Sequence, residues 1–211
     1  MDYNSFLTHI KELQRQALGG QDSQFKMAPA LRKKFSEEHI KKKQPRDAAV
    51  VSLFYPNAVG HAQFLLMLRP DYEGAHAAQI SFPGGKKEPS DPSIYHTALR
   101  EAEEEMNINQ QAVKLIRPLT PTYIPPSNFW VHPFLCYTEE APTLVANEEV
   151  AAIIEVSLSD LLSDGALVTK RLTTSYMKEI EVPCFKLNDY IVWGATAMIL
   201  SEIKDLFHSV L

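Results

Sequence analysis

Glu101, Glu104 and Glu105 sit within five positions, in the run "EAEEE" at 101–105. On a helix, residues three and four apart are neighbours, so these carboxylates turn to one side while Glu103 points elsewhere. Gathering like charges costs helix stability unless a cation sits among them. Donors that are all oxygen suit a hard divalent ion, Mg²⁺ or Mn²⁺. Taken alone, the run also fits a plain solvated acidic face. The preceding "SFPGG" argues for a site, because glycines after a strand permit a tight turn and let backbone approach a ligand closely.

The elements that must hold these groups are written around them. Asp91-Pro92 is a helix start signal, with Asp as cap and Pro at the first helical position. Ile94, Ala98, Ala102 and Met106 recur every four residues, a narrow and mostly small apolar stripe that predicts close packing on a sheet. "AAVVSLFY" and "AQFLLML" read as strands around a turn at "PNAVGH", and "AQISF" as a strand leading into Pro83-Gly84-Gly85. Further strands are expected over Val113–Ile116, Trp130–Tyr137, Ala151–Val156 and Val182–Leu187. "SLSDLLSD" predicts a short helix capped by Ser157 or Ser159, and Ala195–Leu211 a closing one. Residues 4–18 predict a helix capped by Asn4 or Ser5, with Phe6, Ile10 and Leu13 on one face. Residues 19–46, polar and basic up to "KKKQPR", read as a solvated linker. Strands around one central helix and ahead of a terminal one predict a mixed α/β sandwich.

The whole chain bounds the function. It has 211 residues, 45% of them hydrophobic and 22% charged, with a net charge of -5. That balance argues against a broad nucleic-acid-binding face, so no nucleic-acid polymer is expected as partner. Cys136 and Cys184 form no metal-type pair and lie in apolar stretches, which predicts buried, reduced thiols in a cytoplasmic protein. No apolar run approaches the roughly 20 residues that span a membrane, and no membrane partner is expected.

Residues 84–108 resemble the Nudix box, G-x5-E-x7-R-E-U-x-E-E-x-G-U with U aliphatic. Gly85, Arg100, Glu101, Glu104, Glu105 and Ile108 match it, and Ala102 stands at the first U. Asp91 replaces the first Glu, one extra residue precedes Arg100, and Asn107 replaces the last Gly. Asparagine is the next-best residue for the left-handed turn that ends a helix. The resemblance implies hydrolysis of a nucleoside diphosphate linked to another moiety, an α/β/α sandwich with a mixed sheet, and Mg²⁺ or Mn²⁺.

The Asp91 change is similar to the coenzyme A pyrophosphatase branch. Its upstream motif resembles "LLMLRPDYEGAHAAQISFPGG" at 65–85, which keeps Leu65, Leu66, Arg69, His76 and Phe82 to Gly85. The motif's central Leu and Arg are Glu73 and Gly74 here, a loss that predicts weak use of coenzyme A relative to substrates without its 3′-phosphate. "NEEVAAIIEVSL" and "YIVWGATAMIL" resemble later segments of the branch, so the similarity spans roughly 46–205. This divides the chain into an N-terminal helix and basic linker over 1–45 and a Nudix domain over 46–211. The arm is available to a partner or a homodimer.

The resemblance implies roles. Glu101, Glu104 and Glu105 are the expected metal ligands, and Glu101, Glu104 and Glu149 the expected catalytic carboxylates, Glu149 as a general base or extra ligand. Arg69, His76, Gly84 and Gly85 are expected to bind substrate, and Arg100 to orient the box by a salt bridge. Tyr123, Phe129 and Trp130 are candidates for stacking on a base. Rival functions are a Nudix hydrolase for ADP-ribose, a dinucleotide or a nucleoside triphosphate, and a non-enzymatic nucleotide- or partner-binding Nudix domain.

Overall fold

Strand β1 (Arg46–Pro56) decides the architecture, because both of its faces are buried along most of its length. A strand apolar on both sides needs a packed layer on each. The computed structural model describes residues 1–30, 32, 34–70, 79–174 and 177–211. In it β2 (Ala62–Leu68) returns antiparallel to β1, with Phe54 opposite Phe64, through the turn expected at 56–61. β7 (Phe129–Tyr137) runs parallel to β1, with Ala48 opposite Val131, which makes the sheet mixed. Its path is β3 (Ile80–Ser81), β2, β1, β7 and β5 (Lys114–Pro118). Off that path β4 (Gly84–Lys86) pairs with β1, β6 (Thr122–Ile124) with β7, and β8 (Ala152–Ser157) with β2.

Two helical layers cover this sheet, giving the α/β/α sandwich. On one face Ala49, Val51 and Leu53 pack against Ala98, Ala102 and Met106 of α4 (Ile94–Met106), the small-residue stripe read from the sequence. On the other, Phe54, Phe64 and Leu66 meet α1 (Tyr3–Arg15) and α6 (Gly194–His208).

The start of α4 differs from the expectation. Ser93 is the cap, its side chain accepting from the His96 N–H. Asp91 lies ahead of the helix because its carboxylate is taken by Arg100, Thr97 and the Glu88 N–H, and bonds to a cation outweigh a cap bond. At the far end Asn107 adopts φ 59°, the left-handed turn for which glycine is usual.

The first helix also starts earlier than read, at Tyr3, with Asp2 as its cap. Tyr3, Phe6 and Leu13 are buried, and Phe6 stacks on both Tyr3 and Phe54, so this helix is part of the second layer. The stretch taken as linker carries α2 (Gly20–Phe25) and α3 (Glu37–Lys42). The lysine run itself is exposed, but Lys41 and Lys42 pair along α3 with Glu37 and Glu38. Glu202 of α6, fully buried, accepts from the Gly20 N–H, Gln24 and both N–H and hydroxyl of Thr120, which ties residues 19–24 to the last helix.

After α5 (Leu158–Leu162), β9 (Leu167–Thr174), β10 (Met177–Leu187) and β11 (Tyr190–Val192) form a second, three-stranded antiparallel sheet. Among the described residues, no helix is long and apolar enough to cross a membrane.

Candidate active site

The site is built where β4 leaves β1 and α4 passes behind it. Gly84 has φ 146°, and a side chain there would collide with the Ala49 carbonyl, so this close strand approach requires glycine. At Gly85 a Cβ would run into the Glu101 carboxylate; the missing side chain is the room that carboxylate occupies.

Glu105 lies deepest, 1% exposed. One of its oxygens accepts from the Gly84 N–H at 2.8 Å and the other from Arg69 Nη2 at 3.1 Å. Burial pushes its pKa up to about 7, the Gly84 N–H and Arg69 pull it back, and the charges of Glu101 and Glu149 push it further. Glu101 is half-buried; burial raises its pKa too, against Arg100, whose Nη2 lies 2.9 Å from its carboxylate. Glu104 instead turns to Arg100 Nη1 at 2.9 Å with its side chain 56% exposed.

Arg100 ties the assembly together. Its Nε donates to Asp91 at 2.9 Å and its Nη2 to the Lys86 carbonyl at 3.2 Å. Its guanidinium holds the Asp91 carboxyl well below the usual carboxylate range. This is the orienting salt bridge expected of Arg100, with an unexpected partner in Asp91. Arg69, expected to reach substrate, is engaged with Glu105, the Gly84 carbonyl at 3.1 Å and Ser81 Oγ at 3.4 Å.

A cavity of about 700 Å³ opens beside these groups. Arg69, Gly84, Gly85, Glu101 and Glu149 line it, so five of the expected site residues share one space. Glu149 is exposed, in the loop before β8, its N–H bonded to Asn147 at 2.8 Å. His76, with Glu73 and Gly74, lies outside the described residues. Of the candidate aromatics, Phe129 is on the cavity wall, with Arg46 over its ring at 4.2 Å. Tyr123 and Trp130 line a separate hollow beside Phe35. Pro29, Arg32 and Ile180 also line the cavity, and nothing in their sequence setting marks them.

The donor chemistry fits a hard divalent cation: the carboxylates are all oxygen donors, and burial first, then their mutual repulsion, raises the pKa of both Glu101 and Glu105. Among the described residues, no three His, Cys, Asp or Glu side chains are grouped to hold an ion, because Glu104 is drawn off by Arg100.

Glu105 makes metal-free stability depend on pH. Its folded pKa of about 7 stands above an unfolded value near 4.3, so between them the folded state keeps a proton the unfolded chain has lost. Stability from this group is therefore greatest below about pH 4 and falls until about pH 7. Unfolding free energies of the native protein and Glu105→Gln, compared over roughly pH 4 to 8 without metal, should diverge with that slope. Parallel curves would contradict it.

The model of the NUDIX domain matches residues 44–176, well over half of the chain. The chain belongs to the Nudix family. A relative from Yersinia enterocolitica, described as an uncharacterized Nudix hydrolase NudL, is 35% identical over 149 residues, covering 67% of this chain and 72% of its own. A protein of the same description from Photorhabdus laumondii is 36% identical over 136 residues, covering 62% and 70%. Among solved structures, the M. smegmatis Nudix hydrolase RenU superposes with a TM-score of 0.55 at 16% identity, over 79% of this chain and 88% of its own. A C. elegans Ap4A hydrolase gives 0.52 at 16% identity, over 78% and 98%. The two structures bear out the Nudix fold. The family and its close relatives make this chain a Nudix hydrolase, an enzyme that cleaves pyrophosphate bonds. The Nudix family generally works with divalent metal ions.

Proposed function

We propose that this Nudix hydrolase cleaves the pyrophosphate of coenzyme A or a related derivative, using Mg²⁺ or Mn²⁺. The supporting observation is the meeting of two distant stretches at one cavity. Phe82, Gly84 and Gly85 line it from one side and Trp193 and Gly194 from another, and both stretches resemble the coenzyme A pyrophosphatase branch.

Glu101 and Glu105 would hold the metal, with Glu104, held by Arg100, contributing through a water. The bound ion would supply charge neutralisation at phosphorus and an acidified water. Arg69 fixes Glu105 and the Gly84 carbonyl, and Gly84 and Gly85 line the space the pyrophosphate would occupy. Glu149, exposed on the cavity wall, would take the proton of the attacking water. The water oxygen bonds to one phosphorus, the bridging P–O bond breaks, and its electron pair leaves with the other phosphate. Buried, unbridged Cys136 and Cys184 suit a reducing cytoplasm.

The reading predicts its products. Coenzyme A should yield adenosine 3′,5′-bisphosphate and 4′-phosphopantetheine, and reaction in ¹⁸O-water should label one of these phosphates. A panel of nucleoside diphosphate derivatives, run with and without Mg²⁺, provides the comparison. Hydrolysis of the thioester of an acyl derivative or of a phosphomonoester, or cleavage of ADP-ribose with none of coenzyme A, would overturn the assignment.

A further inference from the structure

The cavity has a wall that lies outside the matched Nudix region. The match begins at residue 44, yet Pro29 and Arg32 line the same space as Gly85 and Glu101. Arg32 donates from Nη2 to the Tyr123 carbonyl, and its guanidinium lies 5.8 Å from the centre of the Phe25 ring. These and further contacts hold the half-buried guanidinium in place.

Strand register tells how far this cation stands from the carboxylates. Tyr123 lies opposite Trp130, and Trp130 opposite Asp47. On the other side of β1, Ala48 lies opposite Lys86. Three strand spacings therefore separate Tyr123 from β4, roughly 14 Å at about 4.8 Å each. A pyrophosphate seated on Gly84 and Gly85 does not reach across that gap.

We propose that Arg32 binds a second anionic group of the substrate, a phosphate monoester remote from the pyrophosphate. The inference rests on the cavity being the substrate site. The wall around Arg32 is apolar, with Ile124, Pro125 and Phe129, and an ionic hydrogen bond is stronger there than in open water. A planar guanidinium fork matches phosphate oxygens. The chain carries a net charge of -5 and places Glu101 and Glu149 in the cavity, so a polyanionic substrate needs a cation at its far end. The preference this implies is opposite to the one expected from Glu73-Gly74.

Two arms test it. Calorimetry compares adenosine 3′,5′-bisphosphate with AMP, and turnover compares coenzyme A with dephospho-coenzyme A. The native protein should bind the bisphosphate about 10-fold or more tightly than AMP, the scale of one charge-assisted hydrogen bond, and KM should follow the same order. Arg32→Ala should bring both ratios near 1, moving KM for coenzyme A more than kcat. Arg32→Lys should retain part of the preference, since it keeps the charge and loses the fork. Arg32→Gln serves in place of the alanine variant if that protein melts early. Equal binding of the two nucleotides by the native protein, or a preference that survives Arg32→Ala, overturns the assignment. The binding arm needs no turnover. A preference abolished by Arg32→Ala, in a protein that leaves coenzyme A intact, would sink the coenzyme A reading and uphold the role of Arg32.

Discussion

Glu101→Gln and Glu105→Gln are each expected to cut Mg²⁺-dependent kcat by on the order of 10²–10³-fold, the scale of losing one preorganised electrostatic group. Glutamine keeps the shape of the side chain, and Gly85 leaves the space Glu101 needs, so circular dichroism should report an intact fold. What disappears is the negative charge on which the proposed cation site depends. Glu104→Gln provides the contrast. Its carboxylate is mostly exposed and engaged with Arg100, so its loss should cost nearer 10-fold, as for groups that act through a ligand. Unaltered turnover in both Glu101→Gln and Glu105→Gln would end the metal-site reading; a Glu104→Gln loss as deep as theirs would show that Glu104 turns inward when metal binds.

The second large effect belongs to Asp91. Its carboxylate accepts from Arg100 Nε at 2.9 Å, from Thr97 Oγ1 at 2.9 Å and from the Glu88 N–H at 2.8 Å, with its side chain 4% exposed. Asp91→Ala leaves a largely buried guanidinium short of a partner and a buried hydroxyl with only a long bond to Ser93. Removing one member of such a pair costs about 3–5 kcal/mol. For a chain of this size that is a drop of roughly 6–20 °C in melting temperature. Asp91→Asn, which keeps an acceptor oxygen and loses the charge, should fall between. Because the folded pKa of Asp91 is depressed, its contribution is complete above about pH 4 and is lost on further acidification. Melting of Asp91→Ala within about 2 °C of the native protein would show that Arg100 finds equal support from Glu101 and Glu104.

Much of this fold is legible in the sequence where the signal is local. The hairpin of β1 and β2 follows from two apolar runs around a turn, and the seat of α4 from Ala98 and Ala102 repeating at four. Gly85 and the two carboxylates beside it follow from the box. Signals carried by distant partners are not legible. Ser93 caps α4 because Arg100, nine residues past Asp91, claims that carboxylate. Residues 19–46 look like linker because what orders α2 is Glu202, at the other end of the chain. β9, "LVTKRLTT", has too few apolar residues to read as a strand; its place is set by pairing with β10, where Arg171 lies opposite Glu181. Arg69 ends a strand, as read, but the glutamate it holds is 36 residues away.

The clasp between Glu202 and Gly20 also has a consequence for how the enzyme comes into being. The two residues are 182 positions apart, so during synthesis this bond forms only after residue 202 has left the ribosome. The central sheet and α4 can assemble before that moment, carboxylates included. The segment leading to Pro29 and Arg32 can by then reach Thr120 and Tyr123 but lacks its clasp to α6, so a nascent chain holds the carboxylates before the wall opposite them is fully secured.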